Sequence, residues 1–238
     1  MNFQKRSAAK SNAINYNIME FKRLTLLCGH YGSGKTNIAV NMAYDLKKQH
    51  EKTIIADLDI VNPYFRTKDS SGEFEDLGIR LICSDYANSN VDIPALPQDI
   101  YVLTEDKGVK AIIDVGGDDR GALALGRLTP AILAENDYNM FMVLNFYRPL
   151  TRDAESVLEV MAEIETACGI KFTGLINNSN LGVETTADNV VSTNQKALEV
   201  AKLTALPLVL TTVDENIYGE VKDKLQNVLP LKLQSKII

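Results

Sequence analysis

The chain has 238 residues, of which 45% are hydrophobic and 24% are charged, a composition typical of a globular protein with a substantial core. Its net charge of −6 argues against a broad electrostatic surface for nucleic acid. No apolar stretch approaches the ~18 residues of a membrane-spanning helix, and no apolar segment near the N-terminus has the character of a secretory signal.

Beyond a polar segment over residues 1–21, which lacks apolar periodicity and is predicted to be an extension, the pattern of the chain alternates. Apolar runs typical of buried strands occupy 24–29, 53–58, 79–83, 110–114, 139–145, 172–177 and 207–212. Helical segments are predicted at 35–48, about 120–135, 152–168, 186–204 and 215–228, and residues 84–109 are predicted to form an irregular surface loop. This alternation predicts one α/β domain over residues 22–238, with a doubly wound, mostly parallel sheet that has helices on both faces.

The three cysteines, Cys28, Cys83 and Cys168, lie far apart in the sequence and form no Cys-x-x-Cys pair. Two of them lie in apolar surroundings, where a free cysteine usually serves as a small core residue. We therefore expect reduced thiols and a cytoplasmic protein.

The segment between the first predicted strand and the first predicted helix has the sequence Gly-His-Tyr-Gly-Ser-Gly-Lys-Thr, at residues 29–36. It matches the phosphate-binding pattern G-x-x-x-x-G-K-[ST] at every fixed position. A glycine loop that leads from a strand into a helix brings backbone N–H groups and a helix N-terminus to one point, which binds phosphate. Lys35 adds a charge for the β- and γ-phosphates, and Thr36 adds a hydroxyl for Mg²⁺. The predicted nucleotide-binding residues of this segment are Gly29, His30, Tyr31, Gly32, Ser33, Gly34, Lys35, Thr36 and Asn37.

Acidic side chains are predicted at the ends of two further strands. Asp57 and Asp59 end the second strand, and because they are two residues apart they point the same way across the pleat. Ligands bind beyond the carboxyl ends of strands in doubly wound sheets, so both carboxylates could face Mg²⁺ and the γ-phosphate. Asp114, followed by Gly116 and Gly117, ends the fourth strand. An Asp before a flexible glycine pair suits a Mg²⁺ ligand and a loop that senses the γ-phosphate.

These motifs, in this order, resemble those of the MinD/ParA-like (CobQ/CobB/MinD/ParA) P-loop ATPases of the SIMIBI class, over nearly all of the chain after the polar extension. The resemblance implies ATP or ADP and Mg²⁺ as ligands, and a nucleotide-dependent homodimer. It assigns to Asp59 the orientation of the attacking water, so that Lys35 and Asp59 become the predicted catalytic residues. It places Asp57, together with Thr36 and Asp114, around the metal.

The phosphate loop departs from that family at two positions. The family's loop reads Lys-Gly-Gly-x-Gly-Lys-[ST], and its first lysine reaches the partner's phosphates in a nucleotide-sandwiched dimer, whereas this chain has His30 and Tyr31 in place of Lys-Gly. Histidine is not a permanent cation near pH 7 and does not simply replace that lysine. Arginines that follow strand ends or the Asp114 segment are candidates to supply the charge in trans, namely Arg66, Arg120, Arg148 and Arg152. Asn62, Arg66 and Arg148 are also candidates to contact a substrate.

A polar turn, Asn177-Asn178-Ser179-Asn180, follows the sixth predicted strand. GTPases of related fold have Asn-Lys-x-Asp here, and the Asp reads guanine through two accepted hydrogen bonds. Asn180 stands in the position of that Asp, and because an amide cannot supply the paired acceptor, adenine is favoured over guanine. Since the family uses an Asn at this strand end, we predict Asn177 as a base contact, with Thr211 on the other side of the base. The same residue types are also common in simple turns.

Two functions are open at this point. The first is an ATP-hydrolysing switch in which ATP orders the loops after Asp59 and Asp114, to regulate a protein partner or to deliver a cargo. The alternative is an ATP-dependent small-molecule ligase or kinase, similar to dethiobiotin synthetase or to the N-domain of cobyrinate amidase. A metallocentre-maturation ATPase is less favoured, because the chain has no paired cysteines.

The last ten residues, from Leu229 onward, mix apolar and basic side chains and loosely resemble the membrane-targeting tail of MinD. The segment is short, and Pro230 interrupts a helix across its start. We therefore expect it to pack against the domain, and we do not expect stable membrane binding.

Overall fold

The structure is a computed structural model that describes residues 21–58, 68–83, 97–117 and 119–233. For residues 68–71, 119 and 120 only the backbone is described. Almost all of the predicted N-terminal extension lies outside the described residues, as do Asp59, Asn62 and Arg66.

One sheet of eight strands runs through the described residues. The strands are β1 Leu24–Cys28, β2 Thr53–Leu58, β3 Ile79–Cys83, β4 Lys110–Val115, β5 Tyr138–Leu144, β6 Gly174–Asn177, β7 Leu208–Asp214 and β8 Val228–Leu231. Their order is β3-β2-β4-β1-β5-β6-β7-β8, and every neighbouring pair is parallel. The prediction of a doubly wound parallel sheet is confirmed, and β1 lies inside it between β4 and β5.

Eight α-helices occur in the described part of the chain. They are α1 Lys35–Lys47, α2 Lys68–Leu77, α3 Val102–Glu105, α4 Asp119–Gly126, α5 Thr129–Glu135, α6 Ala154–Cys168, α7 Ala187–Thr204 and α8 Tyr218–Val221. Among these described helices, none combines the length and the apolar character needed to cross a membrane.

Helices cover both faces of the sheet, because successive residues of a strand point to opposite sides. In β1, Leu26 belongs to the core on one face, together with Leu125 of α4 and Val157 of α6. The next residue, Leu27, belongs to the core on the other face, together with Ile38 of α1. Strands that are covered on both sides read as continuous apolar runs, which explains the strand pattern of the sequence.

The predicted helix over residues 120–135 is two helices. The first, α4, ends at Gly126, and α5 begins at Thr129 with Pro130 in its first turn. Proline favours the first turn of a helix and lacks the N–H that a continuous helix would use there. The proline therefore starts a second helix.

The predicted helix over residues 215–228 is wrong. Only the short α8 forms there, after a 3-10 turn at Glu215–Ile217, and Val228–Leu231 pairs with β7 as strand β8. Pro230 fits this strand because β8 is at the edge of the sheet, where an N–H on the outer side has no partner to bond. The buried side chains of Leu229 and Leu231 pack against the sheet.

The side chain of Asn41 in α1 joins this C-terminal segment to the helix that follows the phosphate loop. Asn41 Oδ1 accepts a hydrogen bond from the Lys232 backbone N–H at 2.9 Å, and Asn41 Nδ2 donates to the Lys232 carbonyl at 3.2 Å. The two bonds mimic a backbone pair, so α1 and the chain after β8 are held side by side.

The predicted irregular loop over residues 84–109 contains regular structure in its described part. A 3-10 turn spans Gln98–Tyr101 and continues into α3, and the side chains of Ile100 and Leu103 are fully buried. The sequence pattern also missed α2, whose Phe74 is fully buried. Both segments carry only one or two core residues, too few to produce a clear helical period.

A buried ion pair holds the start of the sheet to the end of α5. The guanidinium of Arg23, which is 6% exposed, binds both carboxylate oxygens of Glu135 and donates to the Leu103 carbonyl at 2.8 Å. Lys107 Nζ donates to Glu135 Oε2 at 2.6 Å. These bonds, that from Arg23 above all, lower the pKa of the Glu135 carboxyl.

We expect Glu135→Gln to lower the free energy of unfolding at pH 7 by about 1–3 kcal/mol, because it leaves a buried guanidinium without its charged partner. The pKa of Glu135 is lower in the folded state than in the unfolded state, where it is about 4.3. The stability that Glu135 contributes is therefore fully present above about pH 4.3, and it is lost as the pH falls through the lowered folded-state pKa. Urea unfolding at pH 7 and pH 3.5 should therefore show a smaller difference between variant and wild type at the acid pH. An equal difference at both pH values would contradict this, and Glu163→Gln on the exposed face of α6 is the control.

Candidate nucleotide site

The loop between β1 and α1 follows a path that requires glycine. Gly29, Gly32 and Gly34 have φ values of 147°, 76° and 86°, in the region that side chains with a Cβ disfavour. A Cβ on Gly29 would lie 2.6 Å from the carbonyl oxygen of Val143, and a Cβ on Gly34 would lie 2.2 Å from Asn178 Nδ2. The loop is therefore packed closely between its neighbours and opens at the N-terminus of α1.

The ammonium group of Lys35 lies inside the curl of this loop. The residue is 7% exposed, and its Nζ donates to the carbonyl of Gly29 at 2.9 Å and to that of His30 at 3.4 Å. The backbone N–H of Ser33 donates to the same His30 oxygen at 3.1 Å. The buried hydroxyl of Ser33 has no hydrogen-bond partner in the described part of the chain. The interior of the loop thus gathers donors and one cation, which is the chemistry that binds a phosphate group.

A hydroxyl and two carboxylates come together beside the loop. Thr36 Oγ1 donates to Asp114 Oδ2 at 2.5 Å. Asp57 and Asp114 are partners in register across β2 and β4, and both are buried. Hydroxyl and carboxylate oxygens are ligands that Mg²⁺ prefers, so this donor set fits Mg²⁺. Among the described residues, no group of three or more His, Cys, Asp or Glu side chains is arranged so that it could hold a metal ion.

Cys28, the last residue of β1, is a core residue at this site. Burial raises the pKa of its thiol well above the usual value, the nearby Cys168 and Asp114 raise it further, and Lys35 acts in the opposite direction. The thiol is therefore protonated at neutral pH, and it is neither a nucleophile nor a metal ligand there.

The glycine pair after β4 packs directly on the phosphate loop. A Cβ on Gly117 would lie 2.5 Å from the backbone N of Tyr31 and 2.9 Å from the carbonyl carbon of His30. Gly116 in turn lies under Gly121 of α4, where a Cβ would come within 2.5 Å of the Gly116 Cα. The segment that follows Asp114 is therefore in close contact with the phosphate loop.

Asn178, the first residue after β6, reaches the phosphate loop from the other side. Its Nδ2 donates to the Ser33 carbonyl at 2.6 Å, and its Oδ1 accepts from the Thr212 hydroxyl at 2.6 Å. Asn145, the first residue after β5, is fully buried, and its Nδ2 lies 3.5 Å from the Gly32 carbonyl. Neither role was predicted from the sequence, although a polar residue directly after an apolar strand was the available signal.

A narrow cleft with a cavity of about 30 Å³ lies beyond the ends of β6 and β7, and it is lined by residues 178–180, residues 212–214, Leu231 and Leu233. Two predicted base contacts lie behind this lining. Asn177 is fully buried, and its Oδ1 accepts from the backbone N–H and the hydroxyl of Ser179. Thr211 is also buried, and its hydroxyl donates to Asn194 at 2.8 Å. In this arrangement the cleft is lined by the residues that follow Asn177 and Thr211, and not by Asn177 and Thr211 themselves.

Arg148 contacts the phosphate loop of its own chain. Its Nε donates to the Gly32 carbonyl at 3.0 Å, although the sequence analysis considered it for a contact in trans or with a substrate. Of the other arginines considered, Arg152 pairs with the exposed carboxylate of Asp153. The side chain of Arg120 is outside the described part, as is the whole of Arg66.

The strand, glycine loop and helix, with oxygen donors at the adjoining strand ends, define a P-loop nucleotide-binding fold. Residues 29–237 match the model of the CobQ/CobB/MinD/ParA nucleotide binding domain. The match covers most of the chain, so the chain belongs to this family, and the resemblance inferred from its motifs is confirmed. No curated protein sequence matches the chain.

Solved structures of similar fold include chloroplast FtsY from Physcomitrella patens, with 17% identity, a TM-score of 0.55 and coverage of 84% of this chain. The cell division protein FtsY from Thermotoga maritima has 15% identity, a TM-score of 0.51 and coverage of 81%. The signal recognition particle 54 kDa protein from Aeropyrum pernix, in complex with GDP, has 15% identity, a TM-score of 0.50 and coverage of 83%. The chain spans only 61%, 62% and 43% of these proteins, respectively. At these identities the likeness is one of fold.

We expect Gly117→Ala to weaken nucleotide binding by about 1–3 kcal/mol, because its Cβ would overlap backbone atoms of the phosphate loop that cannot rotate away. Gly219→Ala is the matched control, since a Cβ there meets no atom within 4 Å. Titration calorimetry with a nucleoside triphosphate measures both variants. Wild-type affinity in a folded Gly117→Ala protein would show that the contact with Tyr31 has no influence on the site.

Proposed function

We propose that this chain is a Mg²⁺-dependent protein that binds and hydrolyses ATP and acts as a nucleotide-driven switch on a partner protein or cargo. The observation that carries the proposal is the contact of Gly117 with the backbone of His30 and Tyr31. Through this contact, the segment after Asp114 would respond to the group that occupies the phosphate loop. A change at the phosphates is then transmitted to a second segment of the protein, which is the basic requirement of a switch.

The phosphates of the nucleotide would be held by the backbone N–H groups of the loop and by the ammonium of Lys35. Thr36 and Asp114, which already share a hydrogen bond, and the neighbouring Asp57 would hold Mg²⁺ directly or through water. A bound Mg²⁺ would offset the negative charge of the β- and γ-phosphates. The chain's own contribution is to fix these groups before the nucleotide arrives, so that little reorganisation accompanies the reaction.

Asp59 is our candidate for orienting the attacking water. It lies two residues after Asp57, which is buried at the end of β2 beside Asp114. A carboxylate accepts the hydrogen bond of a water and positions it, and its position in the sequence suits a side chain near the γ-phosphate.

Adenine is the base we propose, from the chemistry of the turn that follows β6. Asn178, rather than Asn177, contacts the phosphate loop, so the four-residue turn can be counted from either asparagine. The fourth residue is then Asn180 or Leu181, and neither offers the pair of acceptors that guanine requires. The Asn180 amide also accepts from the Gly182 N–H at 3.2 Å and donates to the Asn178 carbonyl at 2.8 Å.

Exposed apolar side chains near the loop support a protein partner or a second copy of the chain. Tyr31 in the loop is 64% exposed, Leu150 after Arg148 is 53% exposed, and Val183 after the polar turn is 98% exposed. Aromatic side chains are enriched where proteins bind one another, so the exposed Tyr31 is where we would expect a partner to bind. Occupancy of the site would then control association.

Competition binding tests the choice of base. A fluorescent ATP analogue bound to the wild-type protein should be displaced by ATP and ADP at clearly lower concentrations than by GTP and GDP. The expected margin is about tenfold or more, since one mismatched hydrogen-bonding edge costs about 1–3 kcal/mol. Displacement by GTP at equal or lower concentrations would overturn the adenine assignment and leave the phosphate site unaffected.

For hydrolysis, we expect Asp59→Asn to retain Mg-ATP binding. The single-turnover rate should fall by a factor of about 10²–10⁴, because the amide is a poorer acceptor for the water's proton. Lys35→Ala is the contrasting variant, in which binding itself should fail. Single-turnover cleavage of radiolabelled ATP, at saturating protein, separates the two effects.

Asp57→Asn completes this experiment. If Asp57→Asn abolishes cleavage while Asp59→Asn cleaves at the wild-type rate, the roles of the two carboxylates are reversed. If both variants cleave normally, the acidic pair is structural and the group that orients the water lies elsewhere.

A further inference from the structure

The side chain of Arg148 contacts the phosphate loop at Gly32. Besides the hydrogen bond from its Nε to the Gly32 carbonyl, its Nε, Cζ and Cδ atoms lie 3.2, 3.5 and 3.6 Å from the position of a Cβ on Gly32. Gly32 therefore provides both the acceptor and the space for the guanidinium. The terminal nitrogens of Arg148 have no hydrogen-bond partner in the described ranges of the chain, so the charge is available to a ligand at this edge.

The backbone of Arg148 is held in a turn after β5. Its N–H donates to the Asn145 carbonyl at 3.0 Å, and its carbonyl accepts from the Thr151 N–H at 3.1 Å. The buried Thr151 hydroxyl donates to the same Asn145 oxygen at 2.7 Å. Within this turn the Phe146 N–H donates to the Ser179 hydroxyl at 3.0 Å. The guanidinium is therefore carried by a fixed segment, although the side chain itself is exposed.

The hydrogen bond to Gly32 affects the interior of the loop through the geometry of the peptide group. In a planar trans peptide the C=O and the following N–H point in opposite directions. With its carbonyl held by Arg148, and more weakly by Asn145 Nδ2 at 3.5 Å, the Gly32–Ser33 peptide directs the Ser33 N–H the other way, where it donates to His30 O at 3.1 Å. Lys35 Nζ donates to that same oxygen at 3.4 Å. Two donors thus converge at one point inside the loop, where a phosphate oxygen would be a stronger acceptor than a carbonyl.

We propose that Arg148 is a positioning residue of the phosphate site that acts on its own subunit, by fixing the Gly32 carbonyl and by adding a second permanent cation at the loop. The proposal rests on nucleotide binding at this loop, and it requires neither adenine specificity nor hydrolysis. It replaces the contact in trans that the sequence suggested. Nucleoside di- and triphosphates are the ligands it concerns, because only they place β-phosphates at the loop.

Equilibrium binding of fluorescent ADP and ATP analogues to the full chain tests this. Arg148→Ala should weaken both ligands by about 10- to 100-fold, the usual consequence of losing a charged hydrogen-bond partner. Arg148→Lys should recover part of the lost affinity, since lysine restores a cation that can donate a hydrogen bond to the Gly32 carbonyl. The neutral Arg148→Gln should not recover it. Arg80→Gln is the matched control, because Arg80 is also exposed and pairs with Asp99 at the far edge of the sheet.

An experiment with mixed subunits distinguishes an arginine that acts on its own subunit from one that acts on a partner subunit. Excess Lys35→Ala protein, which keeps Arg148 but lacks the loop lysine, should not restore the affinity of Arg148→Ala if the arginine acts within its own subunit. Restoration would overturn the proposal in favour of a contact in trans. Wild-type affinity of Arg148→Ala, or equal recovery by Lys and Gln, would overturn it as well. If the wild-type protein binds no nucleotide, the proposed function fails first and this inference with it.

Discussion

Side chains from neighbouring strand ends hold the carbonyl groups of the phosphate loop, and the geometry of the whole site depends on these hydrogen bonds. A loop rich in glycine has little conformational preference of its own, so the directions of its peptide groups must be set from outside. Arg148 after β5 binds the Gly32 carbonyl, and Asn178 after β6 binds that of Ser33. The order of the strands places both residues near β1, and it therefore decides which donors reach the loop.

The two sides of the phosphate loop differ in charge, so the electrostatic environment of a bound phosphate is asymmetric. On the side of β4 and β2 lie the buried carboxylates of Asp114 and Asp57. On the side of β5 and β6 lie the guanidinium of Arg148 and the neutral amides of Asn145 and Asn178. A phosphate group in the loop would be repelled by Asp114 and Asp57 unless a cation lay between the phosphate and the two carboxylates. No cation is needed on the side of Arg148, Asn145 and Asn178. A cation that accompanies the phosphates would therefore lie on the side of Asp114 and Asp57.

The parts of the site that follow from a local pattern could be predicted from the sequence, and the parts that depend on distant contacts could not. The phosphate loop and Asp114 lie at strand ends that apolar runs define well. Strand β6 ends at Asn177, as predicted, but contacts with Ser33 and Thr212, which are distant in the sequence, decide that Asn178 faces the phosphate loop. Arg148 was recognised as a candidate, but its partner Gly32 lies 116 residues away in the sequence. The short edge strand β8 contains a proline, which conceals it from any pattern of strand propensity.

The pairing of Asn41 with the backbone at Lys232 gives the molecule a mechanical property. Tension applied to the chain after Leu233 would pass directly to α1, the helix whose first residue is Lys35, before it reached the central strands. Because β8 is parallel to β7, that tension runs along the strand and loads its hydrogen bonds in shear. A load on this end of the protein would therefore reach the helix that begins at Lys35 through the two hydrogen bonds of Asn41.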